Sequence, residues 1–157
     1  MKARDIMTAD PSCCHPQDPV TRAATLMAEG DWGCLPVVEP GTDRIIGILT
    51  DRDIALRVVA AALDPSTTDV ESVMSRGIVC CLPDDDIEDV EQYMRSHRVR
   101  RIPVVDARGR VIGIISQADL AIRAFRDRHA LDAEDIARTL EALSEPSPLS
   151  QSARVSD

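Results

Sequence analysis

The chain has 157 residues, enough for one compact domain built most simply from two small halves, and its 44% hydrophobic content with only 2% aromatics leaves Val, Ile, Leu, Ala and Met to fill the core. A formal net charge of −9 argues against a nucleic-acid-binding surface, because neutralising phosphates requires a basic face. No run of about 18 apolar residues occurs, so neither a signal peptide nor a membrane span is supported, and a cytoplasmic protein is expected.

In chain order, Ser12 to Cys14 reads as a short strand, and Asp18-Pro19 opens a helix with an N-cap carboxylate ahead of a proline at the first helical position. Val20, Ala23, Ala24 and Met27 recur at helical spacing and mark its buried face. The strands Leu35-Pro36-Val37-Val38 and Ile45 to Thr50 follow, joined through the polar turn Pro40-Gly41-Thr42-Asp43 as a hairpin. Asp51 to Ala61 is helical, starting just after a hydroxyl residue that can act as its N-cap. Asp64-Pro65-Ser66-Thr67-Thr68 breaks the chain, and a short helix from Asp69 to Met74 leads onward.

The same series then repeats. Asp85 to Glu88 has capping-box spacing, and Ile87, Val90, Tyr93 and Met94 form the apolar face of the next helix. The acidic cluster Asp84, Asp86 and Asp89 suits the positive end of that helix better than a metal. Ile102-Pro103-Val104-Val105 and Val111 to Ser116 form a second hairpin around Ala107-Arg108-Gly109, and Gln117 to Arg126 is the second following helix. Met7 and Met74, Pro16 and Pro83, and Pro36 and Pro103 all stand 67 residues apart, and the offset falls by one beyond the first hairpin. Self-similarity held over that length decides the architecture before any local reading does. Past Arg126 the repeat ends. Asp132 to Leu143 can form one more amphipathic helix with Ile136, Leu140 and Leu143 on a face, and Ser144 to Asp157 is expected to be disordered.

Five cysteines are an odd number, with no Cys-x-x-Cys pair, so neither a disulfide framework nor a zinc knuckle is indicated. Cys13-Cys14 and Cys80-Cys81 occupy equivalent places and read as small buried residues of equivalent strands. A thiol sensor using Cys13, Cys14 and Cys34, or a metal site recruiting His15, is the alternative. His15, His97 and His129 show no partnered nucleophile, and no Gly-rich phosphate loop of the Walker type occurs, so no catalytic residue is assigned.

The doubled pattern, Met-Thr/Ser, Pro, then Pro-Val-Val, then Gly-Ile-hydrophobic-Thr/Ser-x-x-Asp, resembles a tandem pair of CBS domains, the Bateman module, over roughly residues 2 to 126. No catalytic domain is left over, so the chain is similar to the small stand-alone two-CBS proteins of bacteria. The resemblance implies an α/β fold of the α+β type, with two β-α-β-β-α repeats packed about a pseudo-twofold axis. The expected division is 1–67 for repeat 1 with its linker, 68–126 for repeat 2, and 127–157 for a C-terminal helix and tail.

It also implies a nucleoside site. Thr50 and Ser116 deliver a hydroxyl at a helix N-terminus, with Asp53 and Asp119 one turn on, and a carboxylate accepting from two vicinal hydroxyls favours ribose. In the family this aspartate binds the ribose; read locally, the same residues are a capping hydroxyl with an acid in the first turn. The family places adenine between the Pro36 and Pro103 strands, with its polar edge on the backbone of Cys13-Cys14 and Cys80-Cys81. Arg100 and Arg101 stand where relatives contact phosphate, in part across the cleft toward the ligand of the first repeat, whereas the first copy has no cation there. One good phosphate-bearing site is therefore expected, with Arg52 and Arg57 nearby on an exposed helix. The leading reading is a homodimeric regulatory sensor of an adenine nucleotide, with AMP, ADP, ATP or S-adenosylmethionine as candidates and no obligatory cofactor. A ligand-free dimeric module docking on an unknown regulated protein, and a thiol or metal sensor, are the other two readings.

Overall fold

A computed structural model describes residues 1–126 and 133–144. Its frame is two antiparallel hairpins in matching register: β2 (Cys34–Val38) on β3 (Ile45–Thr50), and β4 (Arg101–Val105) on β5 (Val111–Ser116). Pro36 faces Ile48, and Pro103 faces Ile114. Each hairpin slips by one residue beside its last valine pair, at Val37/Val38 and at Val104/Val105. Gly41 and Gly109 turn the hairpins at φ of +82° and +77°, a region open to glycine at no steric cost. The expected strand from Ser12 to Cys14 shrinks to a single parallel bridge from Cys14 to Val37, matched by Cys81 to Val104. The Cys14 N–H donates to Pro36 O and its carbonyl accepts from Val38 N–H, so one residue uses the whole free edge available to it.

The segments leading into the two repeats are exchanged. β1 (Thr8–Ala9) pairs with β5 of the second repeat, and Ser75, its equivalent, bridges Ile48 of the first. The apolar residues follow the same exchange. Ala3, Met1, Ile6 and Met7 join the core built by Ile87, Val90, Met94, Ile102, Val104 and Ile115, whereas Val70, Val73 and Met74 join that of Val20, Ala23, Leu35, Val37 and Leu49. A glycine in each receiving strand admits the thioether: a Cβ on Gly47 would overlap Met74 Sδ, and one on Gly113 would overlap Met7 Sδ. The paired methionine and glycine of each copy are thus lock and socket across the exchange.

The pseudo-twofold axis passes where equivalent residues meet. Arg44 bridges Arg110, and Ile45 N–H donates to Gly109 O while Val111 N–H donates to Asp43 O. At the other end Arg101 reaches the start of β2 at Gly33.

Two helix starts differ from expectation. α1 (Val20–Gly30) begins after Pro19, not after Asp18, because Pro19 is extended at ψ 146° and the Asp18 carboxylate instead accepts from His15 N–H. α4 (Ile87–His97) likewise begins after Asp86, and the Asp85 carboxylate closes a turn onto Leu82 N–H in place of a capping box with Glu88. On α4, Tyr93 is 36% exposed and Glu91 is the buried side chain. Residues 87, 90, 91 and 94 share one helical face, and 93 falls on its flank. The expected helix from Asp51 to Ala61 is regular only through α2 (Asp51–Ile54). It then widens over Ala55–Val59, where Ala60 N–H reaches back five residues to Ala55 O, and stops at Ala62 in the left-handed region. α3 (Val70–Val73) and α5 (Gln117–Arg126) form where expected, and α6 (Ala133–Ser144) packs against α4 and α5. The side chains of Ile136 and Leu143, and the tail beyond Ser144, lie outside the described residues.

Candidate functional site

Each Thr/Ser-x-x-Asp motif forms the same local network. The Ser116 hydroxyl accepts from Asp119 N–H at 3.2 Å, while Asp119 Oδ2 accepts from Ser116 N–H at 2.7 Å and from Ser116 Oγ at 2.6 Å. Thr50 and Asp53 reproduce it, with Asp53 N–H to Thr50 Oγ1 at 3.0 Å and Asp53 Oδ2 accepting at 3.0 and 2.7 Å. These are reciprocal capping boxes, which satisfy two otherwise unpaired helix-start donors. Only one carboxylate oxygen is used. Asp53 Oδ1 faces Arg57 Nε at 3.6 Å, while Asp119 Oδ1 makes no bond among the described residues. Capping thus fixes the carboxylate rotamer and leaves an oxygen for a further donor.

Asp119 and Ser116 open into a cleft of about 230 Å³ between the halves. Its second-repeat wall also includes Ile114 and Arg101, and the exchanged segment Thr8 to Ser12 forms the rim. The first repeat contributes Asp31, Trp32, Gly33, Cys34 and Pro36. Two backbone features shape that side. Asp31 ends α1 at φ +53°, and Trp32 N–H then returns to Met27 O. Gly30 has no Cβ to collide with the indole, so the ring lies on the backbone of the helix end. Gly33 does the same for Arg101, whose Nη2 lies 2.8 Å from where a Cβ would stand, with Asp51 Oδ2 3.2 Å from that point.

Of the residues singled out from sequence, Pro36, Arg101, Ser116 and Asp119 come together in this cleft. Thr50 and Asp53 hold the equivalent place in the first repeat, and Pro103 is buried in β4 opposite Ile114. Arg100 gives its carbonyl to Gln117 N–H, as Gly33 does to Asp51 N–H. Arg57 turns inward to the Val73 and Met74 carbonyls, fastening the wide helical turn to the linker, while Arg52 is exposed. Of the five cysteines, Cys34 lines the cleft and the paired ones do not. Cys14 and Cys81, whose backbone was expected to meet a base, spend those groups on β2 and β4, and Cys13 and Cys80 are half-buried beside them. The cleft rim is formed by Thr8 to Ser12 instead, and Trp32 was missed as well; only the exchange of segments explains the first, and a lone tryptophan in an aromatic-poor chain was the available signal for the second.

All five thiols are free. Burial pushes Cys14 and Cys81 up to about 12 and Cys13 and Cys34 up to about 11, with Asp43 adding to the effect at Cys13. Such thiols are poor nucleophiles at neutral pH. His15 pairs with Asp18 at 3.7 Å, His97 Nδ1 contacts Tyr93 O and Ser96 Oγ, and His129 lies outside the described residues. Among the described residues no three His, Cys, Asp or Glu side chains gather as a metal site, and no helix is long and apolar enough to cross a membrane.

Residues 3–60 and 70–125 each match the CBS domain. The chain belongs to the CBS family. It is similar to the CBS domain-containing protein YhcV of Bacillus subtilis, 39% identical over 127 residues covering 81% of this chain and 88% of YhcV. It is also similar to hypoxic response protein 1 of Mycobacterium tuberculosis, 39% identical over 76% of this chain and 82% of the relative. A crystal structure of hypoxic response protein I with two coordinated zinc ions superposes with a TM-score of 0.71 at 38% identity, covering 78% of this chain and 98% of that one. The CBS domain pair of protein MJ0100, solved with 5′-methylthioadenosine and S-adenosyl-L-methionine, superposes with a TM-score of 0.72 at 26% identity, over 82% of this chain and 98% of that pair. The two hairpins, the exchanged leading segments and the paired capping boxes described above are therefore those of a CBS pair, in the mixed α and β fold the repeat implied.

Proposed function

We propose that this CBS pair is a regulatory sensor that holds an adenosine-containing ligand between its repeats, with AMP, ADP, ATP and S-adenosylmethionine as candidates. The observation that carries the reading is the Asp119 carboxylate, locked in one rotamer by Ser116 and retaining a free oxygen at the wall of an open cleft. A fixed anion beside an open volume suits two vicinal ribose hydroxyls, because it accepts both without reorganising. Pro36 and Ile114 offer apolar surface for a base, and Trp32 offers an aromatic face. The adenosine compounds bound to the MJ0100 pair support the same chemistry at this fold. Because both repeats wall the cleft, occupancy would bias the angle between them, which is a means of signalling to a regulated protein.

Association with a second copy is a further part of the proposal. Leu56, Val59 and Leu63 beyond α2, and Ile122 on α5, are 55%, 70%, 48% and 52% exposed, apolar area that a twofold pairing of modules would cover. Calorimetry with adenosine and its 5′ derivatives tests the ligand reading: a saturable heat is expected, and no heat across the whole panel would transfer weight to the ligand-free docking module.

A further inference from the structure

We infer that two copies of this chain pair through the helical face of the first repeat alone, because α6 takes the equivalent face of the second. This rests on the self-association proposed above and goes beyond it by confining the contact to one side of the pseudo-twofold axis.

The repeats differ outside their sheets. α1 buries Val20, Ala23 and Met27 against its hairpin, α4 does the same with Ile87, Val90 and Met94, and Leu120 of α5 is buried likewise. α6 packs against both α4 and α5, so it lies on the side that those helices turn away from the sheet. There it stands in the way of any helix that would approach them from outside. Among the described residues no third helix of that length packs across α1 and α2 in the same manner.

The surface left open on the first repeat is apolar. Leu56, Val59 and Leu63 are exposed, and Thr21, Thr25 and Ala28 present one outer face of α1. Their counterparts on α4 are Glu88, Gln92 and Arg95, so the uncharged face belongs to the first copy only. Of the cations nearby, Arg22 pairs with Asp18 and Arg57 turns inward to the Val73 and Met74 carbonyls, while Arg52 is exposed one turn before Leu56. Charge decides the occupant. In a chain of net charge −9, two copies repel over most of their surfaces, and least where a patch carries no carboxylate. A twofold contact sets such a patch against itself, and aliphatic side chains meet there without opposed like charges. α6 shows independently that this fold completes the outer side of its helix pair with further helix, which a second copy's α1 and α2 supply at the first repeat.

Sedimentation of the full chain and its variants at micromolar concentration tests this, with thermal melting as the check that each variant is folded. Leu56→Asp with Val59→Asp sets carboxylates on both sides of the contact, and the dimer should weaken by about a hundredfold or more. Val59→Asp alone should weaken it about tenfold. Ile122→Asp, the equivalent of the Leu56 change on α5, should leave the dimer intact, and so should Leu140→Glu, which loosens α6 at a half-buried position. Added salt should tighten the association, since it screens the acidic surfaces and takes nothing from an uncharged contact. Loss of the dimer in Ile122→Asp would overturn the one-sided contact, and loss in Leu140→Glu would overturn it by showing α6 exchanged between copies. A folded double variant that stays dimeric would also overturn it, with self-association left standing. A parent chain that is monomeric throughout the micromolar range would remove self-association, and this inference with it.

Discussion

Replacing Asp119 separates the two jobs its carboxylate can do. In the free protein Oδ2 accepts from the Ser116 N–H and hydroxyl at 2.7 and 2.6 Å, so Asp119→Ala removes one side of a capping box. A lost cap costs about 1 kcal/mol, and in a chain of this size each kcal/mol moves Tm by roughly 2–4 °C, so a modest downward shift is expected with the fold retained. Binding should suffer more. A charge-assisted hydrogen bond to a ribose hydroxyl contributes about 1.5–3 kcal/mol, and its loss weakens affinity roughly 10- to 150-fold. Asp119→Asn keeps an acceptor for the Ser116 N–H but gives up the charge, so it should melt close to the parent while binding several-fold more weakly. Thermal melting by circular dichroism beside calorimetric titration reads both effects. An Asp119→Ala protein that melts a few degrees low yet binds 5′-methylthioadenosine within twofold of the parent would show that the motif is a helix cap and nothing more.

Gly47→Ala should destabilise by about 1–3 kcal/mol, since its Cβ overlaps the buried Met74 thioether, and urea unfolding of Gly47→Ala with Met74→Val should cost less than the two changes summed. Gly113→Ala should cost less than Gly47→Ala, because Met7 is only partly buried and can yield; equal costs, or strict additivity at Gly47, would contradict the socket account. The thiols set an alkaline limit. Burial raises Cys14, Cys34 and Cys81 to about 11–12 from an ordinary 9.0, so the folded chain holds protons the unfolded chain releases, and stability present below pH 9 should fall as pH rises through 11–12. A thiol reagent at pH 8 should react slowly with the native protein and fully in urea; a fast native reaction would reopen the thiol-sensor reading.

Much of this molecule could be read from the doubling alone: both hairpins, the helices between them, and the Ser116–Asp119 and Thr50–Asp53 pairs appear where the repeat put them. What could not be read was partnership across the axis. Equivalence of Thr8 and Ser75 is visible in sequence, but which sheet each joins is decided by tertiary packing of Met7 and Met74 into opposite halves. For that reason the cysteine backbone was expected in a cleft whose rim is built by Thr8 to Ser12. Local chemistry misled in a second way. Asp18 and Asp85 have the spacing of caps, yet each closes a three-residue turn one step earlier, because the extended residue before the helix points the carboxylate back along the chain. Polarity hides Glu91 in the sequence, although helical geometry puts position 91 on the buried face and Tyr93 on its flank.

A crystal structure of the chain with 5′-methylthioadenosine would show whether Asp119 holds a ribose between the two repeats. The nucleoside is expected in the cleft walled by Trp32, Pro36 and Ile114, with its 2′ and 3′ hydroxyls within about 3 Å of the Asp119 carboxylate. A ligand lodged elsewhere, or one in the cleft with its ribose turned away from Asp119, would contradict it.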